Sequence, residues 1–187
     1  DQQNLVGWAG AMASGKGPVL EVLMIGPTGS GKTTLVRRMK QVCKLKVPDE
    51  PLDTMPTLGV ELDTLPYRTS ALTVRELGGS FEAVWSNFYS DCGAWAFVVD
   101  LSDSKSLAEG TVSFLSVASS PEMAGKERVL VLAKADAPTR TPLHDLDTIL
   151  RLEDLRRTMG ARLHVIETNS LEDSVRGVEQ LLDTLAG

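Results

Sequence analysis

The chain has 187 residues, 42% of them hydrophobic and 24% charged, with a formal net charge of −6, a size and composition that suit one globular domain around a single core. The acidic balance argues against broad nucleic-acid binding, which needs a basic face to neutralise phosphates, and no apolar run approaches the ~20 residues that span a bilayer. Only Cys43 and Cys92 occur, too few for a disulfide framework and without metal-ligand spacing, so a reducing compartment and a cytoplasmic location are expected.

Residues 1–11 lack the basic start and sustained apolar stretch of a signal peptide. Met12 is read as a natural start, followed by Ala13 where myristoylation requires glycine, and Leu185-Ala186-Gly187 carries no prenylation box, so no lipidation signal is seen. Residues 1–17 are expected to be an extension partly foreign to the native chain, and residues 18–187 the domain. Val19 to Ile25 is an apolar strand ending in a glycine loop, after which Leu35, Val36, Met39 and Val42 mark a helix over Thr33 to Cys43. Lys44 to Pro56 holds Pro48, Pro51 and Pro56 without a period, and a loop of that length is usually functional. Val60 to Tyr67 and Ala71 to Leu77 are predicted to form a hairpin around Arg68-Thr69-Ser70.

Ala94 to Asp100 and Arg128 to Lys134 are apolar without alternation, as strands covered on both faces are. Leu107 to Val117 and Leu146 to Leu155 are predicted as helices and Leu163 to Thr168 as a last strand. Val175, Val178, Leu181, Leu182 and Leu185 form one face of a final helix. Strands alternating with helices imply an α/β domain: a mostly parallel, six-stranded sheet with helices on both faces.

Gly26-Pro27-Thr28-Gly29-Ser30-Gly31-Lys32-Thr33 fits the pattern G-x-x-x-x-G-K-[ST] between that first strand and helix. Its glycines let the backbone N–H groups of Thr28 to Gly31 converge on phosphate oxygens, and the helix that follows adds its positive end. Lys32 would neutralise the terminal phosphates and the Thr33 hydroxyl would ligate Mg²⁺, a hard ion that takes oxygen ligands.

From Gly26 onward, the order and spacing of these pieces resemble the Arf-like branch of the small GTPases. Pro56-Thr57-Leu58-Gly59 looks like the switch I sequence of that family, and 19 positions separate Thr57 from Glu76, the family's spacing. Arg75-Glu76-Leu77-Gly78-Gly79-Ser80 stands where the family has W-D-V-G-G-Q, and Phe97-Val98-Val99-Asp100 matches the strand after it. The Arg-Glu-Leu-Gly-Gly run with Trp85-Ser86 close behind is the most specific pointer, toward a divergent member of the branch. The resemblance implies the P-loop NTPase architecture of the small GTPase fold and a molecular switch that binds GTP or GDP with Mg²⁺. It places Thr57 on Mg²⁺ and the γ-phosphate, gives Gly79 an N–H that senses the γ-phosphate, and so assigns catalysis to Lys32, Thr57 and Gly79. It further implies protein effectors on the switch and interswitch regions, GTPase-activating and exchange factors, and a monomeric domain. The implied role is membrane or ciliary traffic, at the cilium or Golgi membranes.

Ala133-Lys134-Ala135-Asp136 stands where the family has N-K-x-D. The Asp136 carboxylate can accept from guanine N1–H and the exocyclic amino group together, whereas adenine would leave that charge unpaired. The Lys134 stem would cover one face of the base. Asn169, in Thr168-Asn169-Ser170, is placed to donate its backbone N–H to the base O6. Three departures follow. Glu76 replaces an aspartate that acts on Mg²⁺ through water, so metal binding is expected to survive but shift or weaken. Ser80 replaces the glutamine that orients the attacking water, so intrinsic hydrolysis should be slow or partner-dependent. Ala133 replaces an asparagine that ties the base loop to the phosphate loop, so guanine affinity should fall and exchange quicken. The segment from Gly79 to Trp85 is also two residues shorter than in typical Arf proteins.

Plainer readings stay open. Thr57 is also compatible with an ordinary loop residue, Gly79 with a simple turn, and Thr34 with either a back-bonding helix residue or a neighbour of the α-phosphate. His144 and His164 have no triad or metal pattern around them, and Trp85, Phe88, Tyr89 and Trp95 fit the core and sheet edge. Asp145, Asp147, Glu153 and Asp154 suit a solvated helix face. A non-hydrolysing GTP-binding interaction subunit is the competing function, whereas a metabolite kinase would need a basic lid and acceptor site that the sequence does not display.

Overall fold

Strand β1 (Val19–Ile25) leads through the glycine loop into helix α1 (Lys32–Val42). The computed structural model describes residues 19–45, 56–169 and 175–187; the expectations for residues 1–17, for the proline-rich stretch from 46 to 55, for Ser170 and for the His144 side chain lie outside them. Strands β2 (Val60–Tyr67) and β3 (Ser70–Leu77) pair antiparallel, Val60 opposite Leu77 and Tyr67 opposite Ser70, with Arg68 at φ 52° in the turn. A 3₁₀ run (Gly79–Phe88), strand β4 (Ala94–Asp100) and helix α2 (Ser104–Ala118) come next. Strand β5 (Glu127–Ala133), helices α3 (Leu143–Leu150) and α4 (Leu152–Met159), strand β6 (Leu163–Glu167) and helix α5 (Arg176–Ala186) complete the chain.

The strands form one six-stranded sheet in the order β2-β3-β1-β4-β5-β6, parallel throughout except between β2 and β3. Alternating side chains divide the interior in two. Leu23, Ile25, Trp95, Phe97, Val99, Leu130 and Leu132 face α2, α3 and α4. Val22, Met24, Ala94, Ala96, Val98, Val129 and Val131 face α1 and α5. On β4 the first face is large and the second small, so the aromatic cluster lies under α2: the Trp95 and Phe97 rings each sit 5.6 Å from the ring of Phe114. Trp85 and Tyr89 are buried there as well.

The predicted helix from Leu146 to Leu155 is two helices, parted at Arg151, which takes φ 48° and ψ 49°. Left-handed backbone ends a helix, and the bend lets Leu146, Leu150 and Leu155 all stay buried on the same core. The 3₁₀ run after β3 is an element that hydrophobic periodicity did not signal.

The tip of the β2–β3 hairpin is fastened to α5. Tyr67 Oη donates to Asp183 Oδ1 at 2.6 Å and Arg68 reaches the same oxygen at 2.6 Å. Because β1, β3, β4, β5 and β6 run parallel, the loops at their C-terminal ends open along one edge of the sheet, where ligands of α/β sheets bind.

Candidate nucleotide site

Gly26 leaves β1 at φ 147°, and a Cβ there would lie 2.3 Å from the Val98 carbonyl oxygen on β4, so glycine alone permits this close turn. Gly29 and Gly31 hold left-handed conformations with φ 77° and 99°. Gly31 is the N-cap of α1 and contributes no side chain to its first turn, leaving the N–H groups of that positive helix end for an anion. Thr28 and Gly29 form the exposed crest of the loop, and Thr34 is half-buried in the first helical turn. Ser30 is buried, with its Oγ lacking a partner among the described residues. Lys32 is only 5% exposed, and its Nζ donates to the carbonyls of Gly26 and Pro27 at 2.8 Å each. Burial pushes its ammonium down to about 8, partly opposed by the Glu76 carboxylate. A polyphosphate over the loop would supply the counter-charge this ammonium is short of.

Thr33 lies on α1, Thr57 precedes β2, and Glu76 sits near the end of β3 beside Met24 of β1; the fold brings these side chains together. Thr33 Oγ1 donates to Glu76 Oε1 at 2.6 Å, Thr57 Oγ1 donates to the same oxygen at 3.2 Å, and the hydroxyl oxygens are 3.1 Å apart. Glu76 is 2% exposed, and its Oε2 has no partner among the described residues. Burial raises its pKa above the ordinary carboxylate value, opposed by the Thr33 hydrogen bond and the Lys32 charge. An all-oxygen donor set with an orphaned carboxylate oxygen fits a hard cation such as Mg²⁺. Among the described residues no group of three or more His, Cys, Asp or Glu gathers. A metal here would therefore rest on the Thr33 and Thr57 hydroxyls, with the Glu76 carboxylate beside them and further oxygens from outside the protein.

Beyond β3 the chain runs into Gly78-Gly79. The Gly78 N–H donates to the Gly59 carbonyl at 3.0 Å. A Cβ on Gly78 would lie 2.2 Å from the Thr57 carbonyl oxygen, and one on Gly79 2.1 Å from the Thr28 nitrogen. Backbone packing against backbone thus joins the Thr57 segment, the Gly-Gly turn and the phosphate loop. Trp85 holds the turn from below, its Nε1–H donating to the Gly78 carbonyl at 3.2 Å and its ring edge-on to Phe97 at 6.1 Å. Ser80 follows Gly79 and is exposed.

Farther along the same edge of the sheet stand the loops after β5 and β6. The Ala135 N–H donates to the Thr168 carbonyl at 3.1 Å and the Thr168 N–H to the Leu132 carbonyl at 2.9 Å, which sets Asp136 and Asn169 on neighbouring, tied loops. Lys134 leaves the strand at φ 59°, and its Nζ donates to Asp100 Oδ2 at 2.5 Å. Asp100 Oδ1 in turn accepts from the Ser102 N–H and hydroxyl at 2.8 and 2.6 Å. Ala133 is 2% exposed, and its methyl faces the phosphate loop, 3.7 Å from where a Cβ on Gly31 would stand, with no polar group of its own to tie the two loops.

Sequence reasoning left Asp100, Trp85 and Gly78 out of the site. Asp100 had one signal, a carboxylate closing an otherwise apolar strand; the link from Trp85 to Gly78 had none, since it arises only when the 3₁₀ run folds back.

The profile of the ADP-ribosylation factor family matches residues 11–186. ADP-ribosylation factor-like protein 16 from Homo sapiens is 31% identical over 159 residues, spanning 79% of this chain and 80% of that protein. ADP-ribosylation factor D from Dictyostelium discoideum is 28% identical over 173 residues, spanning 91% and 74%. Among solved structures, the Arl6 BBS3 small GTPase from Trypanosoma brucei with bound nucleotide analogue GppNp aligns with a TM-score of 0.71 at 24% identity, over 90% of this chain and 98% of that one, a likeness of fold. With the family match running across nearly the whole sequence and the six-stranded sheet to go with it, the chain belongs to the ADP-ribosylation factor family of small GTPases.

Proposed function

We propose that residues 18–187 form a GTP- and GDP-binding switch whose nucleotide binding depends on Mg²⁺, with residues 1–17 as an extension to that domain. The observation that carries this reading is the convergence of Thr33, Thr57 and Glu76 beside the first turn of α1. That cluster links the phosphate loop to the segment before β2 and to β3, so a γ-phosphate and cation bound there would hold Thr57 and Gly79 in one arrangement, and their loss would release both. Mg²⁺ would supply charge neutralisation at the phosphates. Lys32 would hold the terminal phosphates, the N–H groups of Thr28 to Gly31 the phosphate oxygens, and Asp136, Lys134 and Asn169 the base. Intrinsic hydrolysis would be slow, because Ser80 is exposed and too short to hold an attacking water.

Effectors would then engage the switch regions and the hairpin, where Leu58, Val60 and Leu62 are exposed at 85%, 49% and 60%, and a partner would supply the positioning that hydrolysis lacks. Traffic at membranes or the cilium is the role that family likeness suggests; no helix among the described residues is long and apolar enough to cross a membrane. The exposed Ser80 equally favours a second reading, a GTP-binding interaction subunit that does not hydrolyse. Identification by mass spectrometry of the nucleotide that copurifies, followed by single-turnover GTP hydrolysis with and without cell extract, tests both. The switch is expected to carry a guanine nucleotide and to gain rate with extract or with Ser80→Gln. Guanine nucleotide with background rates throughout leaves the interaction subunit, and tighter binding of ATP than GTP refutes both.

A further inference from the structure

We propose that Glu76 binds the divalent cation of this site directly through Oε1, as a third protein ligand beside the Thr33 and Thr57 hydroxyls; this rests on the switch reading above. The aspartate that the resemblance puts at this position acts through a water, and Glu76 is one methylene longer. Glu76 Oε1 already touches both hydroxyls, and the three oxygens make a triangle with sides of 2.6, 3.1 and 3.2 Å. Octahedral Mg²⁺ with bonds of about 2.1 Å sets neighbouring ligand oxygens about 3.0 Å apart, so this triangle has the size of one octahedral face.

The carboxylate is buried, and its strand is fixed. Its backbone is held on both sides, by Met24 of β1 and Glu61 of β2. Its Oε2 is buried without a partner among the described residues, and the nearby Lys32 ammonium is engaged by the carbonyls of Gly26 and Pro27. A buried anion in that position is stabilised by a cation held against it. Phosphate oxygens and water would supply the other ligands. Compared with a site that keeps a water between carboxylate and metal, this one holds its cation with one more formal negative charge in contact and one fewer bound water.

Counting waters tests this. Mn²⁺ replaces Mg²⁺ on the full chain loaded with a non-hydrolysable GTP analogue, and electron paramagnetic resonance in ¹⁷O-enriched water reports how many waters contact the ion in the unaltered chain and in Glu76→Asp. The unaltered chain is expected to hold one water fewer than Glu76→Asp, and Glu76→Gln is expected to weaken Mn²⁺ binding by roughly tenfold or more. Equal water counts in the unaltered chain and Glu76→Asp, while both still bind the analogue, overturn the direct ligand and leave the switch standing. Should Glu76→Asp fail to fold, Glu76→Gln decides: unchanged Mn²⁺ affinity overturns the proposal. A chain that binds no GDP under any condition overturns the switch reading itself, a result that the GDP titration shows before any water is counted.

Discussion

A methyl group added at Gly79 would arrive 2.1 Å from the Thr28 nitrogen, with the Pro27 carbonyl carbon at 2.5 Å behind it. Both are backbone atoms of the phosphate loop, so the strain cannot be relieved by turning a side chain, and overpacking of this kind typically costs ~1–3 kcal/mol. Gly79→Ala is therefore expected to push the turn off the loop and to erase most of the preference for GTP over GDP, read by competition with a fluorescent GDP analogue; an unchanged ratio would mean that this contact does not report the γ-phosphate. Cys43 offers a pH test far from the site. Burial pushes its thiol up to about 11 from an ordinary 9.0, so the native chain keeps a proton that the unfolded chain loses across that range. The stabilisation this represents is complete below pH 9 and is lost as pH rises toward 11. Thiolate at pH 8 should be about a hundredfold scarcer in the native chain than in the denatured one, and the iodoacetamide rate at Cys43, followed by peptide mass spectrometry, should differ accordingly.

At the level of elements, the break between α3 and α4 gives a stability prediction. Arg151 holds a left-handed conformation at φ 48°, which costs a side-chain-bearing residue roughly 1 kcal/mol, while its ion pair with Asp154 is exposed and contributes little. Arg151→Gly is expected to raise stability by about 0.5 kcal/mol in urea denaturation, after the greater freedom of glycine in the unfolded chain is set against the relieved strain. The same position explains why this boundary was not legible: neither glycine nor proline marks it, and the apolar stripe of Leu146, Leu150 and Leu155 runs through as if one helix carried it. The strands were legible because runs such as Trp95 to Val99 are buried on both faces and need no alternation. Within the site, Gly26 to Thr33 could be read because successive residues form the loop. Glu76 meeting Thr33, by contrast, joins residues 43 positions apart, and only the pairing of β1 with β3 brings them into reach.

For the molecule as a whole, the two cores share one sheet, and a ligand at its C-terminal edge touches loops from both. Binding that favours the native chain raises stability by mass action, about 2.7 kcal/mol at a hundredfold excess over the dissociation constant. GDP with Mg²⁺ is thus expected to raise the melting temperature in proportion to the logarithm of its concentration, and ATP at equal concentration to do so far less; equal shifts would contradict the part given to Asp136. The attachment of Tyr67 and Arg68 to a single oxygen of Asp183 matters at this scale. The β2–β3 ribbon has its turn moored to the last helix, while its other end runs into the Thr57 segment and the Gly78-Gly79 turn that pack on the phosphate loop, so it is a strut held at both ends. Any shift of the ribbon along β1 would have to break those exposed contacts together with the β1–β3 pairing, and the carboxyl-terminal helix is where such a displacement would be felt.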